Sequence, residues 1–415
     1  MLYTLKGGYV YTNKKIVKTN IIVENGIIIE ISDKELGKIF DVSNKYVAPS
    51  FIDPHVHMRE PGFCESETIK TGSLAAARGG YTKVFLMPNT NPVVSSVKVY
   101  KELLEIIKKD AVIECLPLVS ITKDELGKEL VQFEEFDCVG FSDDGKPVSN
   151  SYLMYQAMLK LKSLNKPVLC HCEDLELVNK GTFNNSKKQE NSSALPNLDI
   201  SETTNVARDL VIAKKTGCHY HVCHLATKES LDLVKFYKSN GCNVTVEVTP
   251  HHIVLNDEMI EITPSYKMNP PIRGKKDQEA LIRGIINGDV DMISTDHAPH
   301  SFEKKNKEIN ASAFGIVGLE TSFPLLYTHL VKSGLINVEK LFDLMSYNVA
   351  KAFNLDNHEI KIGNKLSCCV LDLDNEFIID KNTFFSKSNN TPFDGWKVYG
   401  KVVKTICKGE IVYEA

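Results

Sequence analysis

Residues 46–59 read YVAPSFIDPHVHMR, an apolar run of strand length closed by His55 and His57 two positions apart. A strand sends alternate side chains to one face, so both imidazoles point the same way from its C-terminal end. From here to about residue 300, short apolar runs alternate with longer amphipathic ones, the sequence form of repeated βα units and a parallel sheet. The strand candidates are 46–52, 82–87, 112–119, 138–141, 167–172, 218–225, 243–248 and 290–295. Between them, 68–78, 97–109, 152–164, 202–215, 229–238 and 278–286 carry apolar residues at three- and four-residue spacing and predict helices. Eight strands with crossovers predict an α/β chain whose residues 46–358 form a (β/α)8 TIM barrel. The polar stretches 184–193 and 302–312 read as loops, too short to link domains.

The two ends read differently. Ile21, Ile22 and Val23 precede an Asn25-Gly26 turn and a second apolar run, 27–31, a strong hairpin signal. Near the other end lie a strand candidate at 368–373 and a hairpin around Lys408-Gly409. An isolated hairpin is marginally stable, so residues 1–45 and 359–415 are expected to combine into one small β-sandwich-like domain formed by both termini.

Composition narrows the function classes. In 415 residues, 25% are charged and 43% hydrophobic, which excludes collagen-like and disordered readings. Forty-nine Lys plus Arg against 53 Asp plus Glu leave a formal charge of −4. No global basic field favours nucleic acid or an anionic membrane, so an anionic ligand must be captured locally. Eleven cysteines without a repeated CxxC pair argue against a disulfide framework and for a reducing cytoplasm. Neither a signal peptide nor a transmembrane span is expected, because no apolar stretch has the length or flanks.

Alone, HxH is a weak metal signal. It gains force because barrel sites lie at the C-terminal ends of the strands, and other strand ends here are crowded with the same chemistry. FSDDG supplies Asp143 and Asp144, LCHCED supplies His171, YHVCHLAT supplies His224, and STDHAPH supplies Asp296, His297 and His300. Imidazole and carboxylate suit Zn²⁺, and a bridging carboxylate would let two ions sit together. Alternation turns Cys170 and Cys172 to the helix layer if His171 faces the axis, and it sets His219, His221 and Cys223 opposite His224 and His297 away from Asp296. His251 and His252 read as surface or supporting residues, and Lys146 as a solvated charge.

DPHVHMREPG, MPNTNP, FSDDG, HCED, HVCHLATKES, EVTPHH, YKMNPPIR, STDHAPH and AFGIVGLETSFPLLY, in this order, resemble the amidohydrolase superfamily and, more narrowly, the bacterial class I dihydroorotases. The resemblance runs over essentially the whole chain. It implies the barrel with a small β domain, and reversible closure of N-carbamoyl-L-aspartate to L-dihydroorotate in pyrimidine synthesis. It implies one or two Zn²⁺ ions, the first held by His55, His57 and Asp296, the second by His171 and His224, with Asp144 rather than Asp143 shared. Asp296 would also be the catalytic acid and base. Arg59, Asn89 and His300 would meet the substrate carboxylate, Asn269 the ring, and Phe314-Gly315 would offer main-chain contacts beside His57 and Met58. Asn89 and Asn269 each adjoin a proline, so turn formation competes with a ligand role.

Related hydantoinases and allantoinases use a carbamylated lysine where this chain reads Gly140-Phe141-Ser142-Asp143. The resemblance therefore favours dihydroorotase over another cyclic amidase, and over a catalytically silent assembly subunit, since no ligand is missing. It also implies a homodimer, and association with aspartate transcarbamoylase as in some members. Departures from the pattern, Ser50, Pro54, Ala313 and Leu366-Ser367, remove no ligand.

Overall fold

Strands in the middle of the chain are buried on both faces, which is why they read as unbroken apolar runs. In the computed structural model, which describes residues 1–356 and 358–415, Phe51–Val56 pairs in parallel with Tyr81–Leu86, and that strand with Glu114–Pro117. Single parallel bridges carry the pairing from Val119 to Phe141 and from Phe141 to Val168. Val168–Cys170, Tyr220–Val222, Val244–Val248 and Met292–Ile293 follow as one parallel ladder. A last bridge joins His297 to Val56, and the His57 N–H donates to the His297 carbonyl at 2.9 Å. The pairing thus returns to the strand where it began.

All six expected helices form, at Ile69–Arg78, Val97–Asp110, Ser151–Ser163, Ile200–Thr216, Lys228–Ser239 and Lys275–Asn287. Thr68, Ser96, Asn150, Asp199 and Thr227 cap five of them by accepting from first-turn N–H groups that would otherwise lack a partner. Inside the ring, Ile52, Phe85, Leu118, Leu169 and Met292 form an apolar cluster with Val349, Ala350 and Phe353. The polar strand ends therefore stand on a dry floor.

Both termini enter one eight-stranded sheet, in the order Glu410–Glu414, Lys401–Cys407, Cys368–Asp372, Tyr46–Pro49, Leu2–Thr12, Lys15–Glu24, Ile27–Ser32, with Lys38–Asp41 also beside Leu2–Thr12. The two expected hairpins are present. Asn25-Gly26 and Lys408-Gly409 both have positive φ, the conformation of a two-residue hairpin turn. The turns touch, and a Cβ on Gly409 would lie 2.1 Å from the Gly26 Cα. Tyr3, Leu5, Ile21, Val23, Val47, Cys368, Val370 and Ile406 make a core of their own within this sheet.

Two expectations need correction. The strand foreseen at 46–52 breaks at Ser50: Ser50 N–H donates to the Ser367 carbonyl, whereas Phe51 N–H donates to the Gly80 carbonyl. Tyr46–Pro49 thus belongs to the terminal sheet and only Phe51–Val56 to the parallel ring. The terminal strands also pair continuously through one sheet rather than splitting between two. The Leu2–Thr12 ladder shifts register between Leu5 and Gly8, around Gly7 with its positive φ.

Candidate active site

The C-terminal ends of the parallel strands surround a cleft of about 300 Å³ lined by His57, Arg59, Asn89, Asp144, His171, His224, Asn269, Asp296, His300, Phe314 and Gly315. Chain reversals at the strand ends aim several of these side chains. Arg59, His224 and Asp296 all have positive φ, so each turns out of the alternation of the strand before it. His55 lies directly beneath and is fully buried.

Hydrogen bonds to side chains orient the imidazoles. Asn89 Nδ2 donates to Asp144 Oδ2 at 2.9 Å, which leaves Asn89 Oδ1 to accept from His57 Nδ1 at 3.0 Å. His57 Nε2 faces Asp296 Oδ1 at 3.1 Å and Asp144 Oδ2 at 3.6 Å. His55 stands beside the same two carboxylates. Its Nδ1 donates to Glu247 Oε1 at 3.0 Å, while Nε2 faces Asp144 Oδ1 at 3.4 Å and Asp296 Oδ1 at 3.6 Å. His55 Nε2 and Asp144 Oδ1 have no hydrogen-bond partner despite burial. Lone pairs facing lone pairs in a dry site are stable only when a proton or a cation lies between them.

The ligand atoms of His55, His57 and Asp296 lie within 4.8 Å of one another, as do those of His55, Asp144 and His224. That is the donor set and spacing of a divalent-metal site. Burial disfavours charge on His55, but Asp144 outweighs it and lifts the imidazole well above its usual range. His171 Nδ1 and His224 Nε2 approach to 2.9 Å, with His171 Nε2 at 3.3 Å from Glu173 Oε2. His224 Nε2 is 4.0 Å from Asp144 Oδ1, so this second imidazole pair borders the same carboxylate.

Across the cleft, burial lowers the Arg59 guanidinium to about 10, still charged at neutral pH. Its Nε donates to the Pro299 carbonyl at 3.2 Å. Burial, then the nearby Arg59 and Lys305 charges, push His300 down to about 2. The neutral ring donates from Nε2 to the Phe314 carbonyl at 2.5 Å, so Arg59 Nη2, 3.3 Å from that nitrogen, keeps its hydrogens for a ligand. Asn269 Nδ2 lies 3.1 Å from Glu173 Oε2, and its buried Oδ1 has no partner.

Some residues stand elsewhere than expected. Met58 is buried against the helix Ile69–Arg78, where a Cβ on Gly72 would meet its sulfur, so its side chain belongs to the core and not to the cleft. Asp143 accepts from the N–H groups of Ile121 and Thr122 and braces a strand end, leaving Asp144 to the site. Cys170 and Cys172 do face the helices. His221 and Cys223, however, point into the ring beside His55, because His224 turns back through its positive φ and does not alternate with them. His251 and His252 are buried rather than at the surface; His252 Nε2 lies 3.0 Å from the Pro270 carbonyl and supports the turn that carries Asn269. His297 faces Glu67, away from the cleft, and Lys146 is exposed.

Glu247 was not legible as a site residue. It sits within an apolar strand, accepts from His55 Nδ1 and from the His224 N–H, and is itself 3.0 Å from His221 Nε2. From His221 the chain continues through Thr245 Oγ1 to His219 Nε2, each step 2.8 Å. It opens the stretch EVTPHH, at the end of the strand Val244–Val248.

The family described as Dihydro-orotase-like matches residues 44–230. A dihydroorotase of Anoxybacillus flavithermus is 44% identical over 410 residues, covering 96% of this chain and 95% of its own. One of Fusobacterium nucleatum is 44% identical over 415 residues, 99% and 98% of the two chains. This chain belongs to the dihydroorotase family. Another relative, the dihydroorotase of Bacillus cytotoxicus, is 42% identical and spans 100% of this chain. Among solved structures, the L-hydantoinase of Arthrobacter aurescens superposes with a TM-score of 0.89 over 100% of this chain and 96% of its own, at 23% identity. A D-hydantoinase from Thermus sp. gives 0.84 at 25% identity, covering 99% of this chain and 95% of its own. The family thus shares its architecture with hydantoinases, and the choice of ring to open lies in the site.

Proposed function

We propose that this chain is a metal-dependent cyclic amide hydrolase, a dihydroorotase, interconverting N-carbamoyl-L-aspartate and L-dihydroorotate. The observation that carries the reading is the convergence of His55 Nε2 and His57 Nε2 on the carboxylates of Asp144 and Asp296 in one buried cluster with the spacing of a divalent-metal site. We assign zinc to His55, His57 and Asp296, and a second ion to His171 and His224, with Asp144 shared. Bound there, zinc supplies a Lewis acid for the amide carbonyl and lowers the pKa of water from 15.7 to about 7.

The protein's own groups do the rest. Asp296 takes the proton of the attacking water and hands it to the departing ring nitrogen, then reverses both roles for ring closure. Arg59 binds the substrate carboxylate through parallel N–H donors, a geometry lysine cannot match. We place Asn89 and His300 beside Arg59 at the carboxylate end of the cleft, Asn269 at the ring, and Phe314-Gly315 as the wall behind it. The apolar floor of Ile52, Phe85 and Leu169 keeps water from the far side. We read the closed parallel pairing as a (β/α)8 barrel beginning at Phe51, with the terminal sheet as a separate small domain. No helix among the described residues is long and apolar enough to cross a membrane. With all eleven thiols free and ten of them buried, we assign a reducing cytoplasmic setting. We also propose a homodimer, which light scattering would read as twice the monomer mass.

The rival reading is a hydantoinase, which shares the architecture. Against it, the fourth strand end offers Ser142 and Asp143 and no lysine. Purified protein tested on dihydroorotate, hydantoin and allantoin separates the two: hydrolysis of dihydroorotate alone is expected, and preferential opening of hydantoin would overturn the assignment.

A further inference from the structure

Two lysines outside the metal cluster are buried without a carboxylate among their hydrogen-bond partners. Lys267 is 0% exposed and Lys305 7%. Lys267 Nζ donates to the carbonyls of Ile309, Asn310 and Ser312 at 2.8, 3.0 and 2.7 Å. Lys305 Nζ donates to the carbonyls of Lys267, Ala313 and Gly315 at 2.8, 3.0 and 2.7 Å. An ammonium has three protons, so both are saturated by main chain alone. The Gly315 N–H returns a bond to the Lys267 carbonyl at 3.0 Å.

The placement is informative. Lys267 lies two residues before Asn269, and Lys305 ends the turn Phe302–Lys305 that follows His300. Their bonds tie residues 309–315 to the segments carrying Asn269 and His300, and the Lys267 Nζ lies 4.3 Å from the centre of the Phe314 ring. Taking an ammonium out of water is costly, and here it lowers Lys267 to about 8 and Lys305 to about 7. A surface loop needs no such arrangement; a loop that must present main chain at a fixed place does.

We propose that Lys267 and Lys305 are positioning residues that hold the Phe314–Gly315 wall at the substrate. The proposal rests on reading that wall as a substrate contact. In Lys305→Met, the KM for L-dihydroorotate rises at least about 10-fold while kcat stays within about 3-fold and metal content equals wild type. Amide exchange of residues 309–315, slow in the wild type, becomes fast in the variant. Unchanged KM, equal loss of kcat and metal, or fast exchange of 309–315 in the wild-type protein would each overturn it. If Lys305→Met does not fold, Lys305→Gln, which retains two donors, is measured in the same way. Gly315→Ala separates the two failures. Gly315 has a φ of +117°, and an added Cβ would lie 2.4 Å from the Ala298 Cβ, so this change displaces the wall directly. A raised KM in Gly315→Ala beside an unchanged one in Lys305→Met refutes the lysine role alone. An unchanged KM in Gly315→Ala refutes the wall itself.

Discussion

Asp296, 3.1 Å from His57 Nε2 and 3.6 Å from His55 Nε2, carries two roles in the proposed mechanism, metal ligand and proton carrier. Asp296→Asn keeps the shape and removes the base, so kcat should fall by about 10²–10⁴-fold; a loss under 5-fold in a metal-replete variant would remove Asp296 from that role. Glu247 acts at one remove. By holding His55 in the tautomer with Nε2 free, it should tighten metal binding, and Glu247→Gln should raise the metal dissociation constant about 10–100-fold in competition with a chelator. Arg59→Lys should raise KM by about 10-fold or more, from loss of one charge-assisted bond. Residue types and order pointed to the histidines and aspartates that the structure gathers at the cleft. Glu247 escaped because its partners His55 and His221 lie 192 and 26 positions away. His221 and Cys223 were assigned the wrong side because period-two reasoning fails where a residue such as His224 leaves the strand at positive φ.

At the scale of elements, the helices and six of the eight strands sit close to where periodicity put them, since both patterns are local. The break at Ser50 falls at Pro49-Ser50, a turn-prone pair inside the run 46–52 that was read as part of one strand, and the change of partner from Ser367 to Gly80 marks it. The fourth strand reduces to bridges at Phe141, a pairing no local pattern reports. The terminal sheet has its own testable joints. Gly409→Ala places a Cβ 2.1 Å from Gly26 Cα at a φ of +91°, and should destabilise by about 1–3 kcal/mol, seen as a lower denaturation midpoint. Burial favours the neutral form of Asp372, but Lys45 at 2.7 Å, then Asn375 and Asp374, outweigh it and draw the carboxyl from 3.8 to about 2. A depressed folded value contributes stability above the unfolded pKa and loses it as pH falls through the folded one. The Tm difference between wild type and Asp372→Asn should therefore be full at pH 6 and shrink from about pH 4 toward 2; a constant difference would contradict this pairing.

For the whole molecule, architecture and chemistry separate cleanly. The hydantoinase superposition shows a shared scaffold, and the dihydroorotases at 42–44% identity over nearly the whole chain turn the reading to dihydroorotate. Ring closure converts a dianion plus a proton into a monoanion plus water. The equilibrium product ratio should thus favour dihydroorotate at pH 6 and carbamoyl aspartate at pH 9, and equal ratios would exclude this reaction. The most direct measurement is elemental analysis of the purified protein, paired with a dihydroorotate assay before and after chelation. One or two zinc ions per chain, with activity lost on their removal and restored on their return, is the expected result. Full activity in protein stripped of all metal would contradict the account.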